Sequence, residues 1–170
     1  MKMLTILTAG CLALATSVAQ AGPEVSAAMV QDHDTEDRSG MLTFGVSQGP
    51  VFTELGFRSE AAIQLAMGIE ADLSPLVLRT GALYIHGHEE THRFDAPYGH
   101  ATDDGSGVGG MAEVSLATGS HIRPFVRYQG FRTSHEFMDN RRVGQGFGDP
   151  VTHREDRWSH EVMAGIRLAF

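Results

Sequence analysis

Apolar and polar residues alternate along most of this chain in short segments, the pattern of β-strands with one apolar and one polar face. The segment 63–70 reads Ile-Gln-Leu-Ala-Met-Gly-Ile-Glu, and 122–129 places Ile122, Val126 and Tyr128 on one phase. The final segment, 161–170, has the clearest alternation and ends on Phe170. No helical periodicity of useful length follows residue 21, so the pattern predicts an all-β fold.

Eight strands fit this alternation, with lengths close to the roughly 9–11 residues of a tilted strand that crosses a bilayer. The weakest is the first, and the second and third are a little short. The predicted strands are roughly 23–31, 41–48, 51–58, 61–72, 76–86, 109–118, 121–132 and 157–170.

The connections between these strands alternate between short and long. Gln48-Gly49-Pro50, Leu73-Ser74-Pro75 and Gly119-Ser120 are predicted tight turns, because they contain turn-forming residues. The other connections, apart from the short link Ser59-Glu60, are charged and long; they are 32–40, 87–108 and 133–156. This alternation predicts a meander with the short turns and both termini at one end.

The phase opposite the apolar residues carries most of the charge in the predicted strands. In a soluble β-sandwich this phase would face water, whereas in a membrane barrel it would fill a narrow lumen in which acids and arginines neutralise each other. Periodicity alone does not separate these two folds. The phase contains Glu54, Arg58, Gln64, Glu70, Arg79, Glu113, Arg123, Arg127, Gln129, Glu161 and Arg167.

The first 21 residues predict a secretory signal peptide. Lys2 precedes an apolar run, and Ala19-Gln20-Ala21 supplies a cleavage site after Ala21, which leaves 22–170 as one mature domain. The apolar run is shorter than the roughly 20 residues of a spanning helix, which argues against a membrane anchor. Lipidation at Cys11 is the other alternative, but the polar Thr8 makes the context poor.

The mature chain has no cysteine, so no disulfide can stabilise it. Lys2 is the only lysine, so removal of the signal leaves 12 arginines against 21 acids, a formal charge of −9. This acidic balance argues against nucleic acid as a partner.

The C-terminal segment 161–170 resembles the last strand of bacterial outer-membrane β-barrels, which the barrel-assembly machinery reads. With the signal peptide and the turn pattern, the chain resembles the small eight-stranded outer-membrane proteins, the OmpA-barrel, OmpX and OmpW group often labelled porin-like. The resemblance implies an eight-stranded antiparallel up-and-down transmembrane β-barrel in a Gram-negative outer membrane. It implies a monomer surrounded by lipid and lipopolysaccharide, with an assembly signal made by Phe170, Leu168 and Ile166.

The resemblance brings no internal motif and therefore no specific function. We expect a non-enzymatic envelope protein, with no cofactor, that has a structural role or interacts through its outer loops. The alternatives are a lipid A-modifying hydrolase, a narrow channel and a soluble periplasmic β-sandwich that binds a ligand. Because the interior of an eight-stranded barrel is filled by its own side chains, a general diffusion pore is not expected. The predicted lumen network that holds the barrel is Arg79, Glu113, Arg123, Arg127, Glu161 and Arg167.

The densest potential metal ligands lie in the segment 86–92, His-Gly-His-Glu-Glu-Thr-His. On an extended segment His86, His88, Glu90 and His92 would point the same way, and such imidazoles and carboxylates suit zinc, copper or nickel. The spacing matches no closed structural zinc pattern, so a solvated loop is the competing interpretation. The following Asp103-Asp104-Gly105 lacks the ligand spacing of an EF-hand and indicates a loop tip.

Two further groups have residue types found at functional sites. Ser134-His135-Glu136 and Ser159-His160-Glu161 contain the components of a hydrolytic triad, but adjacent strand residues point to opposite faces, so His135 or His153 would have to reach Ser159. The last loop could grip lipopolysaccharide phosphates, or form local ion pairs in water, through its arginines. These are Arg141, Arg142, Arg154 and Arg157.

Overall fold

The computed structural model describes most of the predicted mature domain, and the predicted signal peptide lies outside the described residues. The described residues are 22–33, 36–59, 61–93, 100–118, 121–139, 142–143, 146–147 and 151–170. At the outermost strand ends the structure describes the backbone and its pairing only. These ends include 89–93, 100–104, 137–139 and 151–153.

The described residues form ten strands, eight long and two very short. They are β1 (Gly22–Asp32), β2 (Arg38–Gln48), β3 (Val51–Arg58), β4 (Ile63–Leu73), β5 (Leu76–Arg93), β6 (His100–Leu116), β7 (Ile122–Asp139), β8 (Arg142–Val143), β9 (Gly146–Phe147) and β10 (Val151–Ala169).

Eight of these strands close into one antiparallel barrel. Each of β1 to β7 pairs with its neighbours in the chain, β10 follows β7, and β10 closes the barrel on β1. The two-residue strands β8 and β9 pair only with each other. The prediction of an all-β, eight-stranded, up-and-down antiparallel barrel is therefore confirmed.

The short turns and both ends of the mature domain lie at the same end of the barrel, which we call the turn end. Gly49 takes a φ of 59° in the turn between β2 and β3, a conformation that glycine adopts without strain. The chain closes there, because the Phe170 amide donates to the Pro23 carbonyl at 3.1 Å. The opposite end, where the connections are longer, is the loop end.

The barrel has a short wall and a tall wall. Strands β1 to β4, the short wall, have 8–11 residues, whereas β5, β6, β7 and β10, the tall wall, have 17–19. The prediction of loops throughout 87–108 and 133–156 is thus wrong, because strand pairing continues into both segments. In 154–158 every residue is exposed, so neither strand face is packed there and no apolar alternation marks the strand.

Side chains alternate between the lumen and the outer wall. On β7, Phe125, Arg127 and Gln129 are buried in the lumen, whereas Val126 and Tyr128 are 56% and 50% exposed on the outside. The lumen contains apolar layers as well as charge. The larger apolar cluster is Phe52, Ala62, Ala66, Leu83, Ile85, Met111 and Phe131, and the smaller is Val30, Met41 and Met163.

The backbones of β4 and β5 approach closely where Gly68 pairs with Gly81. A Cβ added at Gly81 would lie 2.2 Å from the Met67 carbonyl oxygen, and one at Gly68 would lie 2.1 Å from the Thr80 carbonyl oxygen. Backbone atoms cannot move aside as a flexible side chain can. The two glycines therefore set the curvature with which these strands join the barrel.

We expect Gly81→Ala to destabilise the barrel by about 1–3 kcal/mol, the usual cost of overpacking. The measurement is the temperature at which the folded band on a denaturing gel converts to the unfolded mobility. Gly110→Ala is the matched control, because the nearest atom to its added Cβ would be the Gly81 carbonyl oxygen, at an ordinary 3.5 Å. Equal conversion temperatures for the two variants would contradict this account.

Candidate functional site

The centre of the lumen is Glu54 on β3, whose carboxylate is contacted by three arginines from three other strands. Its Oε1 accepts from Arg79 Nη1 at 2.9 Å and from Arg167 Nη2 at 2.8 Å. Its Oε2 accepts from Arg127 Nη2 at 2.5 Å. All four side chains are at least nine-tenths buried. One carboxylate thus ties β3 to β5, β7 and β10.

The same arginines bind further acids around Glu54. Glu113 Oε2 accepts from Arg127 Nε at 2.8 Å and from Arg167 Nη2 at 2.9 Å. Arg79 Nη2 donates to Glu24 at 2.8 Å, and Arg79 Nε donates to Glu70 at 2.6 Å. This cluster, which we call the lower network, lies toward the turn end and joins seven of the eight barrel strands.

Aromatic rings cover the guanidinium groups of the lower network. Arg79 lies 5.0 Å from the centroid of the Phe52 ring, and Arg167 lies 5.0 Å from that of Phe125. Arg127 lies 5.8 Å from the centroid of the same Phe125 ring. Cation–π attraction of this kind grows when water is excluded. The rings therefore hold the arginines in place and help to fill the lumen.

A second set of polar contacts, the upper network, lies nearer the loop end. Arg58 Nη1 donates to Glu161 Oε1 at 2.7 Å, and Arg58 Nη2 contacts the other carboxylate oxygen of Glu161. Gln129 Nε2 donates to Glu161 Oε2 at 2.6 Å. Gln129 and Gln64 also bond to each other, at 3.1 and 3.2 Å. The Arg58–Glu161 ion pair is bidentate and buried. Together with Gln129 and Gln64, it joins β3, β10, β7 and β4 across the lumen.

The structure brings together five of the six residues predicted for the lumen network. Arg79, Glu113, Arg127 and Arg167 lie in the lower network, and Glu161 lies in the upper one. Arg123 does not join them: it is half-buried, and it makes no ion pair with another of the described residues. Its register partner on β10 is Arg167, so like charges are opposite each other there.

The sequence analysis did not identify Glu24 as a member of the lower network. It placed Glu54, Arg58 and Glu70 on the charged phase of the strands but did not include them in the predicted lumen network. The signal for Glu24 is weak because β1 has the least regular alternation of the barrel strands. Together the two networks contain five acids, Glu24, Glu54, Glu70, Glu113 and Glu161, and four arginines. Their formal charge of −1 shows that the lumen is almost self-neutralising.

The predicted metal ligands do not share one face of β5. A bulge between His86 and His88, at Gly87 with φ 78°, shifts the strand register by one residue. His86 is exposed on the outer wall, whereas His88 points inward and packs edge-on against Phe131 with ring centroids 5.5 Å apart. The side chain of His92 lies outside the described residues. Among the side chains that the structure describes, no three potential metal ligands come together.

The residues considered for a hydrolytic triad are also placed differently from a catalytic arrangement. Ser159 and His135 both point into the lumen and are buried. His135 Nε2 lies 3.0 Å from Thr133 Oγ1, and Ser159 is not hydrogen-bonded to His135. His160 is on the outer wall, where its Nδ1 shares a 2.6 Å hydrogen bond with the Tyr128 hydroxyl. Among the described side chains Ser159 is therefore not paired with a base, and the side chain of His153 lies outside them.

Aromatic rings form a row on the outer wall near the loop end, and charged residues lie next to them. Trp158 and His160 have ring centroids 6.4 Å apart, and His160 and Tyr128 6.1 Å, with nearly parallel planes in both pairs. Trp158 is opposite Arg132, whose Nη2 donates to Asp156 Oδ2 at 2.7 Å. The hydrogen bond with Ser134 and the charge of Arg132 hold the pKa of Asp156 below its usual value.

The residues of the predicted assembly signal lie on the outer face of β10 and beyond its end. Ile166 is 54% exposed and Phe170 67%, and Leu168 also faces outward. The Phe170 ring stacks on His121 with centroids 6.3 Å apart, and His121 Nδ1 lies 2.7 Å from the Ala169 carbonyl oxygen. In the folded barrel these residues form the seam with β1 and the edge of the turn end. Their recognition during assembly stays a prediction.

Comparisons with known proteins add one structural likeness. No protein-family model matches the chain. No curated protein sequence matches it either. Among solved structures, the crystal structure of Neisserial surface protein A (NspA) is similar at 14% identity and a TM-score of 0.46, over 88% of this chain and 96% of that chain. A likeness at this level assigns neither a function nor a location to this chain. Within the described part of the chain, no helix is long and apolar enough to cross a membrane.

We expect Glu54→Gln to cost about 3–5 kcal/mol in the free energy of unfolding, because it leaves three buried arginines without their shared carboxylate. Urea unfolding in detergent micelles measures this. Asp156→Asn is the control, since it breaks an ion pair that is largely solvent-exposed, where such pairs contribute little. If both variants unfold at the same urea concentration as the unmodified protein, Glu54 does not hold the lumen together.

Proposed function

We propose that the protein is a non-enzymatic integral outer-membrane β-barrel. The tall wall would carry its strands beyond the membrane on the outer side, where they support envelope structure or contacts with other surface components. The predicted signal peptide, the closed barrel and the terminal aromatic strand support export to that membrane. A closed barrel satisfies its backbone hydrogen bonds internally, which is the condition for a β-structure to cross a bilayer.

The observation that carries the proposal is the band of apolar side chains exposed on the outer wall. Ile69 is 59% exposed on β4, Val126 56% on β7 and Ile166 54% on the neighbouring β10. Monomeric soluble proteins rarely expose a contiguous apolar patch larger than a few hundred Å². A band that extends over successive strands is therefore stable only if something apolar covers it, and lipid covers every side of a barrel.

The height of the band agrees with a bilayer. On β7 the outward residues are apolar or small from Ile122 to Gly130, and Arg132 follows. These nine residues at about 3.3 Å each, tilted by roughly 40°, give about 23 Å, close to the roughly 25 Å of the apolar band of a membrane barrel. Tyr84 and Trp158 lie in the same register row as Arg132, near the proposed outer interface where an aromatic girdle belongs.

The interior and the rim support the non-enzymatic part of the proposal. The two charged networks and the apolar clusters fill the lumen with side chains, which does not favour passage of solutes. A lipid-modifying enzyme would need its nucleophile and base on the lipid-facing rim. Ser159 and His135 instead face the lumen and are buried.

We expect Val126→Arg to reduce the free energy of folding into lipid vesicles by about 2–4 kcal/mol, the cost of an arginine near the bilayer midplane on the lipid face of a barrel. The measurement is equilibrium folding into phosphatidylcholine vesicles, followed by the gel-mobility shift. Val126 is already exposed, so in a water-soluble barrel the same change would cost almost nothing.

Glu136→Arg is the matched control, because residue 136 is exposed on the same outward phase of β7, beyond the proposed membrane. It should leave folding into vesicles unchanged. Equal folding of Val126→Arg and the unmodified protein, or recovery of the protein in the soluble fraction after cell lysis, would contradict the membrane location.

A further inference from the structure

Charged and polar side chains lie directly beyond the apolar band on the outer wall of β7 and β10. Arg132 follows Gly130 on the outward phase of β7, and its register partner on β10 is Trp158. These side chains face outward and lie outside both lumen networks, so the stability of the barrel does not account for them. We call this group the rim patch; it consists of Arg132, Ser134, Arg154, Asp156 and Trp158.

The two arginines of the rim patch converge on one carboxylate. Arg132 Nη2 donates to Asp156 Oδ2 at 2.7 Å, and Arg154 Nε lies 3.9 Å from Asp156 Oδ1. Arg154 Nε also donates to Ser134 Oγ at 2.8 Å. Each guanidinium has five N–H donors. The side chains of Arg132 and Arg154 are 55% and 67% exposed, so these contacts orient both groups and leave them accessible to a ligand.

Aromatic rings connect the rim patch to the apolar band. Trp158 and Tyr128 are exposed, and His160 lies between them with its Nδ1 bonded to the Tyr128 hydroxyl. Opposite His160 is Gly130, where an added Cβ would lie 3.3 Å from the imidazole Nδ1, so glycine leaves room for the ring. Aromatic rings that carry a polar atom favour the boundary between hydrocarbon and headgroups. The row therefore indicates that the rim patch lies at the height of lipid headgroups.

The rim patch occupies one side of the barrel. On the short wall, the outward residues at the loop end of β2 and β3 are Gly40 and Ser59, and the Gly40 amide donates to the Ser59 hydroxyl at 3.1 Å. Arg38 is exposed near them, but neither Gly40 nor Ser59 is aromatic or charged. The described residues of the two walls therefore differ at this height, which suits a site for a single lipid molecule.

The composition of the rim patch favours a headgroup that carries both phosphate and hydroxyl groups. Guanidinium groups bind phosphate oxygens through paired N–H bonds. The hydrogen bond with Ser134 and the charge of Arg132 lower the pKa of Asp156, which is therefore ionised at neutral pH. An ionised carboxylate repels a bare phosphate but accepts a hydrogen bond from a hydroxyl group. A phosphorylated sugar supplies both partners.

The charge balance of this region also argues against a site that selects lipids by charge alone. The two arginines are balanced by Asp156 and by Glu136, the register partner of Arg154. A formally neutral group of side chains does not concentrate anions in general. It can select a ligand whose acceptors and donors match its own.

We propose that the rim patch binds the phosphorylated sugar headgroup of one lipopolysaccharide molecule in the outer leaflet. Arg132 and Arg154 hold a phosphate, Asp156 accepts a hydrogen bond from a sugar hydroxyl, and the Trp158 ring packs beside the sugar. The inference rests on the proposed membrane location and adds to it the lipid and the face of the barrel that contacts it.

The test uses Trp158, the only tryptophan of the chain, as a reporter within the rim patch. The protein is folded into vesicles of phosphatidylcholine brominated near the headgroup, and unbrominated lipid A, the phosphorylated disaccharide anchor of lipopolysaccharide, is added in increasing amounts. Lipid A that occupies the patch displaces the brominated lipid and restores the fluorescence. Phosphatidylglycerol, which has a phosphate but no sugar, should require a mole fraction at least about tenfold higher, since one hydrogen bond to a charged group is sufficient for that difference.

Arg132→Gln and Arg154→Gln should each lower the apparent affinity for lipid A by roughly fivefold, the usual contribution of one arginine near an anionic membrane surface. Arg38→Gln is the matched control, because it removes the same charge from the short wall, and it should leave the affinity unchanged. The gel-mobility shift verifies that each variant is folded.

Three results would overturn the site while the membrane location stands, provided that brominated lipid alone quenches Trp158. They are restoration only in proportion to the bulk fraction of lipid A, equal restoration by phosphatidylglycerol, and equal losses of affinity in Arg38→Gln and Arg132→Gln. A folded protein that brominated lipid does not quench would instead contradict the membrane location, and the site with it.

Discussion

Every second residue of the barrel strands points into a lumen that is filled by side chains, so any charge placed there must be neutralised by another strand. Glu54 is where this constraint is met most fully, because it binds Arg79, Arg127 and Arg167 from three different strands. The contacts are not local in sequence: Arg167 is separated from Glu54 by 113 residues. The network can therefore form only when the strands are in their final register.

This constraint explains why the outer wall can be apolar. Where the inward phase of a strand carries charged side chains, alternation sends its apolar phase to the outside, and the two faces of the strand exchange their usual roles. An isolated buried ion pair is weak evidence for stability, because desolvation offsets the attraction between the charges. Here each arginine also contacts an aromatic ring, and Arg79, Arg127 and Arg167 each bind more than one acid. The arrangement specifies a single strand register.

Much of the barrel was predictable from the sequence, because the period of two is strong wherever one strand face is apolar. The eight strands, their order and the inward phase of Arg79, Arg127 and Arg167 follow from that period. The extensions of the tall wall were not predictable, because strands with water on both faces need no apolar alternation. The bulge at Gly87 was also hidden, since one glycine among polar residues predicts a loop as readily as a change of face. Arg123 shows that phase alone does not assign a partner.

Trp158 provides the most direct measurement of the central claim, that the outer wall faces lipid and the charged phase faces the lumen. It is the only tryptophan of the chain and is 57% exposed at the boundary between the apolar band and the charged rim. The measurement is its fluorescence after folding into vesicles of brominated phosphatidylcholine. The account predicts strong quenching by bromines placed near the headgroup and weaker quenching by bromines near the chain ends. Fluorescence unaffected by either lipid, with the protein folded, would contradict it.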